Sequence, residues 1–333
     1  MKTAEPLARV RQRDSNLELL RIVAMALIVI EHIFGHGYGI NQSLSQAVIP
    51  FAAVGVNLFI LITGYFGIHF KWKSLLNLLL IVITYKIVNE AFVVAFLQQP
   101  PKPGGLLKFG YWFVTVYFEL YLIAPMLNRL LKSTPNRTLW AYLAILFFIN
   151  CILGFLLKEE VNRIGMNLMQ FVFLYFIGHA IRRFHTAGRL GTLSWLAVYL
   201  GCSAIVAAVI LLTGKWVTHN NNPLVLCAAI ALFCFFLKFN FHSKAVNTIA
   251  TTAFAVYLLT DGRLGTLLLY PLAHDFYLQH ANNLPLLLLC PLAATLCAFA
   301  VAFVIDMLRQ RITSPIVNSV GRWRAKHHCE GIE

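Results

Sequence analysis

The stretch LELLRIVAMALIVIEHIFGHGY (17–38) decides how the rest of the chain is read. Its apolar run is long enough to cross a hydrocarbon core, which takes about 20 mostly apolar residues. A long polar region precedes it and no small-residue cleavage site follows. It therefore reads as an uncleaved signal anchor. Yet Arg21 and His32 stand inside it, and an ionisable group within a span is expensive and marks function by default. Eleven steps of about 100° bring His32 back to within roughly 20° of Arg21, about 16 Å further along the axis. One helix face thus carries a fixed cation toward one end and an imidazole toward the other. The bland alternative pairs Arg21 with Glu18 while the guanidinium snorkels to the headgroups, and leaves His32 as a satisfied interfacial side chain.

Outward from this span the chain keeps the same character. Hydrophobic residues make up 59% of it and charged residues 12%, where a soluble domain carries about a quarter charged. Apolar runs at roughly 17–38, 48–70, 74–98, 110–131, 139–157, 165–182, 192–213, 223–240, 246–270 and 285–307 predict an all-α polytopic integral membrane bundle of about ten transmembrane helices. Trp72, Trp112, Trp140, Trp195 and Trp216 fall near the expected ends, where an amphipathic ring sits at the interface. Three parts are expected: a cytoplasmic segment 1–16, a membrane domain 17–307, and a basic cytoplasmic tail 308–333 that lies against anionic lipid headgroups.

Charge sets the orientation. With the N-terminus inside, 19 of the 27 Lys and Arg residues fall on the cytoplasmic side, and Lys102, Lys108, Lys158, Arg163 and Lys215 fall outside. Arg21, Lys86 and Arg263 lie within spans. That asymmetry requires an even span count with both termini cytoplasmic. It also accounts for the net charge of +14 without nucleic acid, since no exposed basic segment interleaves aromatic stacking residues. The seven cysteines show no CxxC or other ligand spacing, so neither disulfides nor a zinc site is expected. His32 and His36 stand four apart, but with no third ligand at a suitable spacing the segment is not read as a metal site.

The other ionisable residues inside spans are Lys86 and Glu90, Glu119, and Asp261 with Arg263. Lys86 and Glu90, four apart on one helix face, suit an internal ion pair better than catalysis. In GVNLFILITGYF (55–66) the residues Gly55, Asn57, Thr63 and Gly64 make a small or polar face that helix packing alone explains.

Taken in order, these segments resemble the acyltransferase-3 family of bacterial membrane acyltransferases. LELLRIVAMALIVIEH (17–32) is similar to the family's first helix, with its Arg or Lys, ten residues, then His. GVNLFILITGYF resembles the second-helix motif, with Phe59, Thr63, Gly64 and Tyr65 at its places. YWFVTVYFELYLIAPMLN (111–128) is similar to the aromatic span headed here by Trp112, and YFIGHAIRR (175–183) and TTAFAVYLLTDGR (251–263) match later landmarks. The likeness runs from about residue 15 to 307. Thr63 replaces a Ser and keeps its hydroxyl. The arginine pair that many members carry after the second span is absent, with Lys71 and Lys73 nearby, and Thr260 and Asp261 stand where many members have His.

The resemblance implies acetyl-coenzyme A as the donor, a hydroxyl of a surface polysaccharide or its lipid-linked precursor as the acceptor, and the bacterial inner membrane as the location. It implies that His32 is the general base on the acceptor or carries the acyl group, roles an imidazole suits by its pKa. Arg21 is expected to hold donor phosphates or amide oxygens, with Thr63, Tyr65, Trp112 and Arg263 lining the substrate path. Glu31, adjacent in sequence, points about 100° away from His32, so Glu119 or Asp261 from another span is the expected partner of the ring. No bound cofactor is implied. N-acylation, a larger acyl donor such as succinyl, or a proton-coupled or lipid-linked-sugar transporter built on the same intramembrane groups are the competing readings. A non-catalytic sensor has no need of a deep Arg–His stripe.

Overall fold

A computed structural model describes residues 14–101 and 110–329, with side chains to residue 315 and at Ser319. The expected segment 1–16 therefore lies almost wholly outside the described residues, as do Lys102, Lys108 and the side chains of the basic cluster near the C-terminus. The described chain is helical, with no strand among the described residues.

Among the described residues six helical stretches are long and apolar enough to cross a membrane: Ser43–Phe66, Trp72–Leu97, Trp112–Ser133, Asn136–Leu156, Thr192–Thr213 and Leu284–Pro315. Each coincides with one of the ten expected spans. The remaining four expected spans are helical too, but differ in ways the sequence explains. Helix α1 (Ser15–His32) runs straight into a π-helical turn, Ile33–Gly39, and carries Glu18, Arg21 and Glu31. After α2 (Ser43–Ala52), α3 (Gly55–Phe66), α4 (Trp72–Leu97), α5 (Trp112–Ser133) and α6 (Asn136–Phe147), helix α7 (Leu168–Arg183) has only 16 residues. Following α8 (Thr192–Thr213), helix α9 (Pro223–Phe236) has 14. The ninth expected span is broken: α10 (Lys244–Ala250), α11 (Ala253–Thr260), then a π-helical turn Gly265–Leu269 leading into α12 (Tyr270–Gln279). Length and composition thus mark six membrane-crossing helices, and the count of ten stays a reading of the sequence.

Among the shorter helices α7, α9 and α11 are largely buried, whereas α10 and α12 are not. In α7, 10 of 16 residues are buried. Glycines set how close α7 and α3 come: a Cβ on Gly64 would collide with the Tyr175 backbone, and one on Gly178 with the Leu61 carbonyl. The small face read in 55–66 is used for this packing.

The break after α11 is held by side chains from distant helices. A helix end buried in the protein must have its free carbonyls satisfied by protein groups. Asn89 of α4 donates to the Leu258 carbonyl (3.1 Å) and accepts from the Leu264 amide (3.1 Å). Tyr111 donates to the same Leu258 carbonyl (2.9 Å), and Tyr270 donates to the carbonyl of Thr260 (3.0 Å). The interruption is therefore a built feature, and Asp261 stands at its first residue.

Helix α13 (Leu284–Cys329) does not stop near residue 307, where a tail was expected to begin. It continues through Pro315, and Arg309 is buried against α4. The Arg309 Nε donates to Asp306 Oδ1 at 2.6 Å and its Nη1 to Asn77 Oδ1 at 3.2 Å. An arginine three residues after an aspartate on one helix face makes its own counter-ion, which is why this cation packs into the bundle.

Candidate active site

His32 is the last residue of α1 before the winding changes to π, a change that recurs at functional sites. The π turn brings Gly37 onto α12, where a Cβ would stand 2.7 Å from that of Ala273. That close approach delivers Tyr270 to the histidines. The Tyr270 hydroxyl lies 3.4 Å from His32 Nδ1, and its ring centroid is 6.4 Å from that of His32 and 5.2 Å from that of His36. His36 is exposed and sits edge-on to His32 at 5.5 Å.

Asp261, released by the break after α11, places Oδ1 3.6 Å from His32 Nδ1, with both side chains about one-fifth exposed. At that separation the contact is an electrostatic one that lies just beyond hydrogen-bond length. Nucleophile–base–orienter arrangements are often this loose before substrate tightens them. Both neighbours of the ring address Nδ1, and Nε2 is hydrogen-bonded to none of the described residues.

His32 also forms part of the wall of a small cavity of ≈ 20 Å³, lined further by Phe59, Trp112, Phe113, Phe254 and Tyr257. A far larger cavity of ≈ 580 Å³ lies on the other side of Phe254, which belongs to both walls. Polar and cationic side chains line the larger one, among them Lys73, Asn77, Tyr117 and Arg309. An imidazole oriented from one nitrogen, facing a narrow apolar space that abuts a wide cation-lined one, can take a proton from a group held in the first while a charged molecule occupies the second.

The family model described as an acyltransferase domain matches residues 14–306. The chain belongs to the acyltransferase-3 family. Neither a curated relative nor a solved structure matches it. As a membrane acyltransferase, it holds the expected site residues in three different situations.

Asp261 and Trp112 stand with His32: the carboxylate beside Nδ1, the indole in the wall of the small cavity. Arg21 shares the α1 stripe with His32 but is bound to Glu18 at 2.5 Å. Thr63 donates to the Phe59 carbonyl of its own helix at 2.8 Å. Tyr65 packs on Phe233 with Arg182 over its ring, in the wall of a separate cavity with Asn16 and His242. Arg263 bridges to Glu90 at 2.6 Å and also donates to the Pro100 carbonyl, so this pair crosses helices. Glu119 lies on the exposed face of α5 and makes no hydrogen bond or ion pair with His32. Of the two acids expected as partners of the ring, the structure brings up Asp261 alone.

Sequence reasoning did not single out Tyr270, Phe254 or Tyr257, and it weighed His36 only as a metal ligand. The two residues at 254 and 257 fall in TTAFAVYLLTDGR, so the motif was visible and their roles were not. Tyr270 carried no signal, because its place depends on the break in the ninth segment.

Proposed function

We propose that this acyltransferase moves an acetyl group from acetyl-coenzyme A to a hydroxyl of a surface polysaccharide or its lipid-linked precursor, at the bacterial plasma membrane, with both termini cytoplasmic. The observation that carries the reading is the placement of His32: Nδ1 beside Asp261 and Tyr270, and the ring against a narrow pocket that shares Phe254 with the wide cavity.

In this reading the coenzyme occupies the wide cavity, with Lys73 in its wall as a cation for its phosphates. Its thioester reaches past Phe254 to His32. The acceptor oxygen bonds to the thioester carbon while His32 takes the hydroxyl proton. The carbon–sulfur bond then breaks, and the thiolate receives that proton from the imidazolium. Asp261 keeps the ring in the tautomer that leaves Nε2 free to accept, and stabilises the imidazolium once formed. His36 and Tyr270 line the approach on the other side of the ring.

The test is transfer of labelled acetyl from acetyl-coenzyme A into a surface-glycan extract by membranes carrying the full chain. Wild type transfers label, and His32→Ala at equal expression does not. Wild-type membranes that move no label from any acyl donor offered, but carry a lipid-linked sugar across, would support a transporter instead.

A further inference from the structure

An open groove of ≈ 440 Å³ is lined by α6, α7 and α9 and shares no wall residue with the two cavities near His32. Its wall on α6 is one stripe, Trp140, Leu143, Ala144 and Phe147, at the i, i+3, i+4, i+7 spacing of a single helix face. Trp140 stacks on Phe184, at the end of α7, with ring centroids 5.1 Å apart, and Phe147 meets Phe173 at 6.5 Å. These two ring pairs mark the ends of the groove. Eleven steps of α7 separate them, about 16 Å along the axis, and one leaflet of hydrocarbon is about 15 Å deep. Apart from the Trp140 indole, Thr186 and the Cys227 thiol, the walls present no polar side chain. The Trp140 end is cationic. Arg137 stands one turn before Trp140 on the same stripe, and Arg189 eclipses Thr186 across the single 3₁₀ turn Thr186–Arg189. Both arginines are exposed and have no hydrogen-bond or ion-pair partner among the described residues. The chain carries no Asp or Glu in 120–158 or in 161–260, so no acid near in sequence neutralises them.

We propose that this groove binds one anionic glycerophospholipid, an acyl chain lying along it and the lipid phosphate held between Arg137 and Arg189. A linear chain fills an apolar slot of leaflet depth and asks it for no hydrogen bond. Trp140 fixes the mouth at the interface, where an amphipathic ring settles, and the arginines stand just beyond it, at headgroup level. Each cation near a membrane surface adds attraction for anionic lipid, and a guanidinium meets a phosphate with paired N–H donors. A neighbouring helix is a poorer occupant. Helices in lipid pair through small residues or interhelical hydrogen bonds, whereas Trp140, Phe147 and Phe184 wall this slot with bulky rings. Water has no polar partners along it. The proposal is independent of the acyl-transfer reading, since it uses none of the residues around His32 and needs only a chain embedded in a bilayer.

In the experiment the full-length protein, purified in mild detergent, is offered equimolar phosphatidylglycerol and phosphatidylethanolamine and weighed intact by native mass spectrometry. Wild type retains one phosphatidylglycerol in preference to the zwitterionic lipid. The double variant Arg137→Gln/Arg189→Gln binds it about 30-fold more weakly, which is the worth of two cations near a membrane surface. Ala144→Phe fills the slot from an exposed position of α6 and removes the retained lipid, and Ala144→Leu weakens retention should the phenylalanine variant not accumulate. As a second readout, phosphatidylglycerol raises the melting temperature of wild type and leaves that of the double variant unmoved. Equal retention of the two lipids by wild type, or undiminished retention by the double variant, overturns the site. So does displacement of the phospholipid by equimolar polyprenyl phosphate, which would make the occupant a carrier lipid, or a dimer of the chain in place of bound lipid.

Discussion

In α11, 7 of 8 residues are buried, while in the hydrophobic window of α8 only 28% are. The two helices are similarly apolar, so hydropathy does not separate them. What separates them is polar detail. The segment around α11 ends in a break stitched by Asn89, Tyr111 and Tyr270, whereas α8 is an unbroken 22-residue rod whose outer face presents Leu193, Ile205 and Leu212. Lipid asks a helix only for length and apolarity. The interior of the bundle asks for shape and for every polar group to be matched. The candidate site sits where the second demand is met, and the long spans divide between the two: α3 and α5 supply Phe59, Trp112 and Phe113 to its wall, while α8 belongs to the outer frame.

That contrast can be broken by substitutions on each side of it. The largest effect is expected at the ring itself: His32→Ala lowers acyl transfer by about 10³-fold at equal expression, a typical contribution of a positioned base. Next is Asp261→Asn, which keeps shape and removes charge; transfer falls by about 10²-fold, while thermal unfolding of the purified protein is unmoved. A fall in both readouts would mean that the carboxylate is a structural support. In packing terms, Gly178→Leu forces α7 off the Leu61 carbonyl and lowers stability by about 3 kcal/mol. Its match on the frame, Gly201→Leu, has nothing within 4 Å of the added carbon. It should change stability by no more than about 0.5 kcal/mol. Smallest of all is Leu212→Ala, 85% exposed on α8, expected to leave transfer unchanged and stability within about 0.5 kcal/mol. Equal melting temperatures for the two glycine variants would erase the distinction between core and frame.

The frame was legible because hydropathy is local. Trp72–Leu97 and Trp112–Ser133 can be read from their own residues, and so can the Arg21–His32 stripe. The inner elements were harder. Nothing within 246–270 says that the helix breaks at Asp261, since the groups that tolerate the break are Asn89 and Tyr111, more than 140 residues away. For the same reason the sequence offered Glu119 and Asp261 on equal terms. Hydropathy locates an acid within a span and does not say which way it faces. The extension of α13 past residue 307 was hidden by its charges, because Arg309 looks like the start of a tail until Asp306 is seen to neutralise it.

The π turn after His32 has a consequence for how such a chain can change over generations. A π turn spans one residue more than an α turn, so Ile33–Gly39 stores a surplus residue inside the helical run that begins with α1. Losing one residue there would let the segment rewind as an ordinary helix, with α1 undisturbed below it. Everything beyond the deletion would turn by about 100°, carrying His36 away from His32 and Tyr270. Length variation at this point is therefore cheap for folding and decisive for the approach to the ring, which makes it a place where descendants could acquire new acceptors by insertion or deletion.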